Sequence, residues 1–173
     1  MNAKHMPSGF TLIELMITIL ILTIMIAITA PYFSSMLARM ESKKISTSLQ
    51  AILRDSRHHA FTQQKRIAIC GSHDGITCDA EAWSTGLLIF HDATANRVRE
   101  AHEDIYQFIR LNLKYGDLDW KGFGVSKNIV FQPDTGLPRG SNGSFYYCAN
   151  QTENTRRIVV SPMGHSRIES HEC

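Results

Sequence analysis

Glu14 is the one ionisable side chain between Phe10 and Ala30, in the run FTLIELMITILILTIMIAITA. A carboxylate alone among apolar side chains has one chemistry available to it. It attracts a countercharge or a proton, because an unpaired charge at membrane depth costs about 2–3 kcal/mol or more. The other side chains with chemical potential are four cysteines (Cys70, Cys78, Cys148, Cys173) and eight histidines. His58 and His59 are adjacent, so on a helix they point ~100° apart and share a metal poorly. His73-Asp74 and His91-Asp92 fall in expected turns. No G-x-S-x-G elbow, P-loop or H-E-x-x-H pattern occurs. The expectation is a protein that is not an enzyme, with no cofactor and no metal.

The elements around these residues are unevenly composed. The chain has 173 residues, 43% hydrophobic and 20% charged, with a net charge of +2 that is too small to argue for nucleic acid. Its apolarity is concentrated in residues 10–30. A helix of about 21 residues spans ~31 Å, one hydrocarbon thickness. A buried core helix would show a polar stripe. A cleaved secretory signal would need a small-residue site, and Ala30 is followed by Pro31. A retained single-pass membrane helix fits better. Lys4 and His5 before it favour a cytoplasmic N-terminus, with the C-terminal body across the membrane.

Gly9 followed by Phe10-Thr11-Leu12-Ile13-Glu14-Leu15 resembles the class III signal of type IV prepilins and type II secretion pseudopilins. The resemblance implies a leader over residues 1–9, cleavage between Gly9 and Phe10 by a prepilin peptidase, and methylation of the new amine at Phe10. It also implies partners, namely other pilins or pseudopilins in a fibre, and an inner-membrane location with the head periplasmic. In such a fibre Glu14 of one subunit pairs with the Phe10 amine of its neighbour and fixes the stagger of the apolar helices.

Pro31 lacks an amide hydrogen and is expected to kink or interrupt the helix. From there to about residue 64, Phe33, Leu37, Met40, Ile45, Leu49, Ile52 and Leu53 recur at three- and four-residue steps, with cations on other faces. Beyond Arg66, strand-like runs alternate with turn signals: 66–70, 86–90, 105–113, 128–132, 144–148, 156–161 and a short last one at 165–170. The fold class expected is α+β: a long N-terminal helix, anchoring in its first half, packed on an antiparallel sheet head. The boundaries expected are 1–9, 10–30, 31–64 and 65–173. W-S-T-G (83–86) with Phe90 and Asp92, Ile129 to Gly136, Gly143 to Cys148 and Arg157 to Gly164 are similar to the GspH/FimT branch of that family.

An even cysteine count in an exported domain points to two disulfides. Cys70 and Cys78 flank a short glycine-containing turn, which makes a local bridge natural and leaves Cys148 with Cys173. No Cys-x2-Cys pair supports a zinc site.

In the DNA-binding minor pilins of this branch a Gly-Arg-x-Arg element contacts nucleic acid. The matching residues here are Gly164-His165-Ser166-Arg167. Arg167 keeps the second arginine; His165 replaces the first and carries no fixed charge. Arg156, Arg157 and Arg139 supplement the patch. The expected function is a minor pilin of a type IV pilus, with contact to double-stranded DNA during natural transformation as an added role. An H-type pseudopilin of type II secretion is the alternative within the family, and a soluble secreted binding module the alternative outside it.

Overall fold

The computed structural model describes residues 9–124, 127–150 and 154–173, with the side chains of Ala30 and Pro31 left out. Residues 1–8 of the expected leader, with Lys4 and His5, lie outside the described residues. The chain divides into two compact units, one ending at Leu37 and one spanning Ala38–Cys173. Helix α1 (Leu12–Gln63) is shared between them. It is assigned without a break through Pro31, so the expected interruption is absent. Pro31 removes one intrahelical donor, and the turns on either side hold the remaining ladder.

In the first unit, the large hydrophobics from Phe10 to Ile28 are 47–78% exposed. Hydroxyls inside this run satisfy themselves. Thr18 donates to the Leu15 carbonyl at 2.8 Å, Thr23 to Leu20 at 2.7 Å and Thr29 to Met25 at 3.0 Å. Such back-bonding lets a polar side chain sit on an apolar surface without an orphan donor.

In the second unit α1 buries a stripe made of Ala38, Ser42, Ile45, Ser46, Leu49, Leu53, Ser56 and Ala60. The steps of three and four residues follow the helical period, and five of the eight are Ser or Ala, which allows close backbone approach. Met40, expected in the stripe, is 57% exposed instead. The buried Ser42 hydroxyl donates to the Asn154 carbonyl at 2.6 Å, and Ser46 donates back to the Ser42 carbonyl at 2.8 Å.

The stripe packs on two four-stranded antiparallel sheets rather than one. Strands are β1 (Ile67–Gly71), β2 (Gly86–His91), β3 (Ile105–Arg110), β4 (Gly116–Gly122), β5 (Ile129–Phe131), β6 (Gly143–Ala149), β7 (Arg156–Val160) and β8 (Ser166–Ser170). One sheet has the order β3-β2-β1-β5 and the other β4-β6-β7-β8. Strand β4 was not among the expected runs. It is GDLDWKG, whose Asp, Gly and Lys are poor strand formers. Yet its Leu118 and Trp120 alternate inward. The expected run at 105–113 stops at Arg110, with one more bond from the Leu111 amide to the Thr85 carbonyl at 2.8 Å.

One core joins Ile45, Leu49 and Leu53 of α1 to the inner faces of both sheets. Trp83, on a short 3-10 helix at Ala82–Ser84, packs edge-on against Phe145 with ring centres 5.3 Å apart. The outer face of the first sheet carries a second cluster of Ala68, Cys70, Leu88, Phe90 and Val130. Burial on both faces explains why β1 and β2 read as continuous apolar runs. The W-S-T-G segment has a packing reason: a β-carbon on Gly86 would come within 2.6 Å of the Phe108 ring.

Candidate functional site

The start of α1 is built by its own side chains. Thr11 precedes the first helical residue, and its hydroxyl accepts from the Glu14 amide at 3.3 Å. The spacing Thr11-x-x-Glu14 is that of a capping box, a signal present in the sequence and not used in reading it. Glu14 lies in the first turn, where the helix dipole favours a negative charge. Its side chain is exposed, as is Phe10 at 78%. Gly9 has nothing within 4 Å of where a β-carbon would stand. The helix is long and apolar enough to cross a membrane.

Two disulfides are present. Cys70 is joined to Cys78 with Cα atoms 5.6 Å apart, and Cys148 to Cys173 at 5.9 Å. The first covers the outer cluster of the first sheet, against which Cys78 packs. The second ties the C-terminus to β6. The Thr155 hydroxyl donates to the His171 carbonyl, and His171 meets the Tyr146 ring edge-on at 4.9 Å.

The loop between β2 and β3 is organised by buried acids. Asp92 accepts from Arg66 Nε at 2.8 Å and from the Arg97 amide at 3.3 Å. Glu103, only 4% exposed, accepts from the Ala93, Thr94 and Glu100 amides at 2.8, 3.2 and 3.1 Å. Burial pushes the Glu103 carboxyl up, but those backbone donors outweigh it and hold it below the usual glutamate range. Glu41 plays a related part inside the head. It accepts from the Lys114 and Tyr115 amides at 2.9 and 3.0 Å and from the Tyr147 hydroxyl at 2.8 Å. Burial first, and the Glu41 carboxylate second, keep the Tyr147 phenol protonated.

The basic residues singled out by sequence do not form one patch. The pleat sends Arg156 and Arg157 to opposite faces of the sheet. Register places Arg157 opposite Tyr146 and Glu169, and Arg167 opposite Val159. Arg157 and Arg167 line a groove of about 370 Å³ together with Lys121, Phe123, Ser144 and Tyr146. Tyr146 carries two cations: Lys121 Nζ is 5.0 Å and Arg157 Cζ 5.6 Å from its ring centre.

Two of the three cations that line the groove share one carboxylate. Glu169 pairs with Arg167 at 2.5 Å and with Arg157 at 3.9 Å. The hydrogen bond from Arg167 is what chiefly holds the Glu169 carboxyl below its usual range. Arg139 is paired with Asp134 at 3.2 Å, and Arg156 donates to the Thr155 carbonyl at 2.8 Å. His165 is exposed on the turn between β7 and β8. Two cations on helix faces outside the apolar stripe, Arg54 and Arg57, have no side-chain ion pair or hydrogen bond among the described residues. Arg57 lies against Gly136 and Gly164. Among the described residues, no group of three or more His, Cys, Asp and Glu side chains is placed to hold a metal.

Comparison with known proteins agrees with this build. The model of the type II transport protein GspH family matches residues 46–164, and that of the prokaryotic N-terminal methylation motif matches residues 5–30. No curated protein matches the chain. Among solved structures, the chain is similar to the type IV minor pilin FimU of Pseudomonas aeruginosa, with 20% identity and a TM-score of 0.57. That match covers 76% of this chain and 90% of FimU. It is also similar to EpsH, the minor pseudopilin of the type 2 secretion system of Vibrio cholerae. There the identity is 12% and the TM-score 0.52, over 75% of this chain and 97% of EpsH. The GspH model covers most of the chain and the methylation motif covers the beginning of α1, so the chain belongs to the GspH family of minor pilins and pseudopilins.

Proposed function

We propose that this chain is a minor pilin of a type IV pilus, cut between Gly9 and Phe10, methylated at Phe10, and held in the inner membrane by residues 10–30 until it enters a fibre. The head is periplasmic and the N-terminus cytoplasmic before assembly. The observation that carries this reading is the first part of α1, whose large hydrophobics are 47–78% exposed while Glu14 stands in the first turn. An apolar rod with no partner among the described residues calls for lipid or for sister helices. Its single acid calls for a countercharge, which the freed Phe10 amine of a neighbouring subunit supplies.

Two substitutions test this in cells. Glu14→Leu leaves cleavage and membrane insertion intact but removes the register pair, so the variant accumulates in the membrane and is absent from sheared fibres. Gly9→Val leaves the leader attached. A Glu14→Leu chain recovered in fibres at the wild-type ratio overturns the pairing. A shortened Gly9→Val chain overturns the processing site.

The pseudopilin reading shares every step up to the fibre. Deletion of the gene separates the two: loss of surface pili with intact protein secretion is the result expected here, and the reverse identifies a secretion pseudopilin. The head is further proposed to touch nucleic acid through phosphate attraction. Support comes from cations that its own carboxylates leave uncompensated. Such contact is steeply salt-dependent and blind to sequence.

A further inference from the structure

We infer that the nucleic-acid contact of the head is made by the face of α1 that carries Arg54, Arg57, His58 and Phe61, rather than by the sheet groove around Arg167. This rests on the nucleic-acid reading proposed above. The four residues follow the i, i+3, i+4, i+7 spacing of one helix face, and with Thr135 they line a concavity of about 390 Å³. Arg54 and His58 are exposed, Arg57 is half-buried, and Phe61 is 51% exposed.

Charge compensation separates the two surfaces. In the sheet groove Glu169 engages both Arg157 and Arg167, so an incoming phosphate must displace a carboxylate already in place. On the helix face neither Arg54 nor Arg57 has a carboxylate within 4 Å among the described residues. A guanidinium without a protein partner is free to take phosphate bidentately.

Position also favours Arg57. The turn Ser161–His165 is held by the Gly164 amide donating to the Ser161 carbonyl at 2.9 Å. Gly164 has φ +73°, and a β-carbon there would stand 3.2 Å from Arg57 Nη1. Two turns back along the helix, Gln50 Nε2 donates to the Ser166 carbonyl at 3.1 Å. Arg57 therefore brings a guanidinium from the helix to the very turn where His165 offers no fixed charge. Gly136, with φ +62°, also lies close to Arg57: a β-carbon there would stand 3.0 Å from the Arg57 carbonyl. Both turns therefore approach this part of the helix closely.

Nucleic acid suits this face better than an acidic polypeptide does. The cations with fixed charge are arginines, which match phosphate geometry, and the same stripe ends in an exposed Phe61 that offers a base a stacking surface.

The test uses the full chain in neutral detergent, with fluorescent duplex and single-stranded oligonucleotides titrated over a range of salt. Arg54→Gln with Arg57→Gln is expected to weaken duplex binding about tenfold or more at low salt and to lower the salt slope by about 1.8. Arg57→Lys keeps the slope. Arg167→Gln is expected to change affinity by less than about twofold, because its charge already faces Glu169. Thermal melting checks the fold; where the double variant melts early, the exposed Arg54→Gln alone decides, with a slope loss of about 0.9. An unchanged double variant beside an Arg167→Gln chain that no longer binds overturns this inference and leaves the nucleic-acid reading standing. No binding of either oligonucleotide by the wild-type chain at low salt overturns that reading and this inference together. Displacement of the oligonucleotide by polyglutamate at equal charge concentration, as effective as displacement by unlabelled DNA, overturns the choice of nucleic acid.

Discussion

The two parts of α1 belong to one unbroken helix and have opposite surfaces. Before Leu37 the helix shows Leu20, Leu22 and Ile26 at 60%, 56% and 64% exposure. After Ala38 it shows Leu49 and Leu53 at 1% and 4%. The second part has its partners in its own chain, in the form of two sheets. The first has none among the described residues. Hydrophobicity alone therefore does not separate a core segment from an assembly segment. What separates them is whether the apolar positions form a stripe or surround the helix. From Leu12 to Ile28 every face is apolar except at Glu14 and the self-bonded threonines.

This contrast is open to direct measurement, and the largest effect falls in the second part. Leu49→Ala removes a side chain packed between the sheets and is expected to cost the head about 2–5 kcal/mol. Leu20→Ala is expected to leave head stability within ~0.5 kcal/mol of wild type. Urea unfolding of the full chain in detergent, followed through the buried Trp83 and Trp120, reads both. Equal losses would mean that the two parts are stabilised in the same way.

A smaller effect is expected from opening the Cys148–Cys173 bridge. Cys148→Ser with Cys173→Ser is expected to lower head stability by about 2–4 kcal/mol without altering membrane extraction of the chain. The same unfolding experiment reports the first quantity and carbonate extraction the second.

The smallest effect is on pH dependence, and it too belongs to the head. The folded-state pKa of Glu103 lies below its ordinary value of 4.5, because backbone donors favour the carboxylate. Its contribution is present in full above that ordinary value and is lost as pH falls through the folded value. Head stability is therefore expected to hold from neutral pH to about 5 and to decline below it. Glu103→Gln is expected to flatten part of that decline. A variant with the wild-type acid profile would show that the loop around Glu103 does not couple to folding.

Much of this was legible in the sequence because it depends on local pattern. The apolar run, the stripe of Ile45, Leu49 and Leu53, and the β-branched strands all announce themselves by period. Strand β4 did not, because its Asp117, Asp119 and Lys121 face outward and dilute the signal. The split into two sheets was hidden as well, since β3 and β4 are neighbours in sequence but lie in different sheets. The pairing within the cationic surface was hidden for a related reason. The pairing of Arg167 with Glu169 depends on strand geometry, and the approach of Arg57 to Gly164 joins the helix to the β7–β8 turn. Charges counted along the chain do not reveal which of them already face each other.

Residues 10–30 are proposed to form an assembly rod freed by cleavage after Gly9. The intact mass of the mature chain, extracted from membranes or from sheared fibres, tests it most directly. The expected mass is that of Phe10–Cys173 with two disulfides and one added methyl group. A mass corresponding to a chain that begins after Ala30, recovered in soluble form, would contradict it.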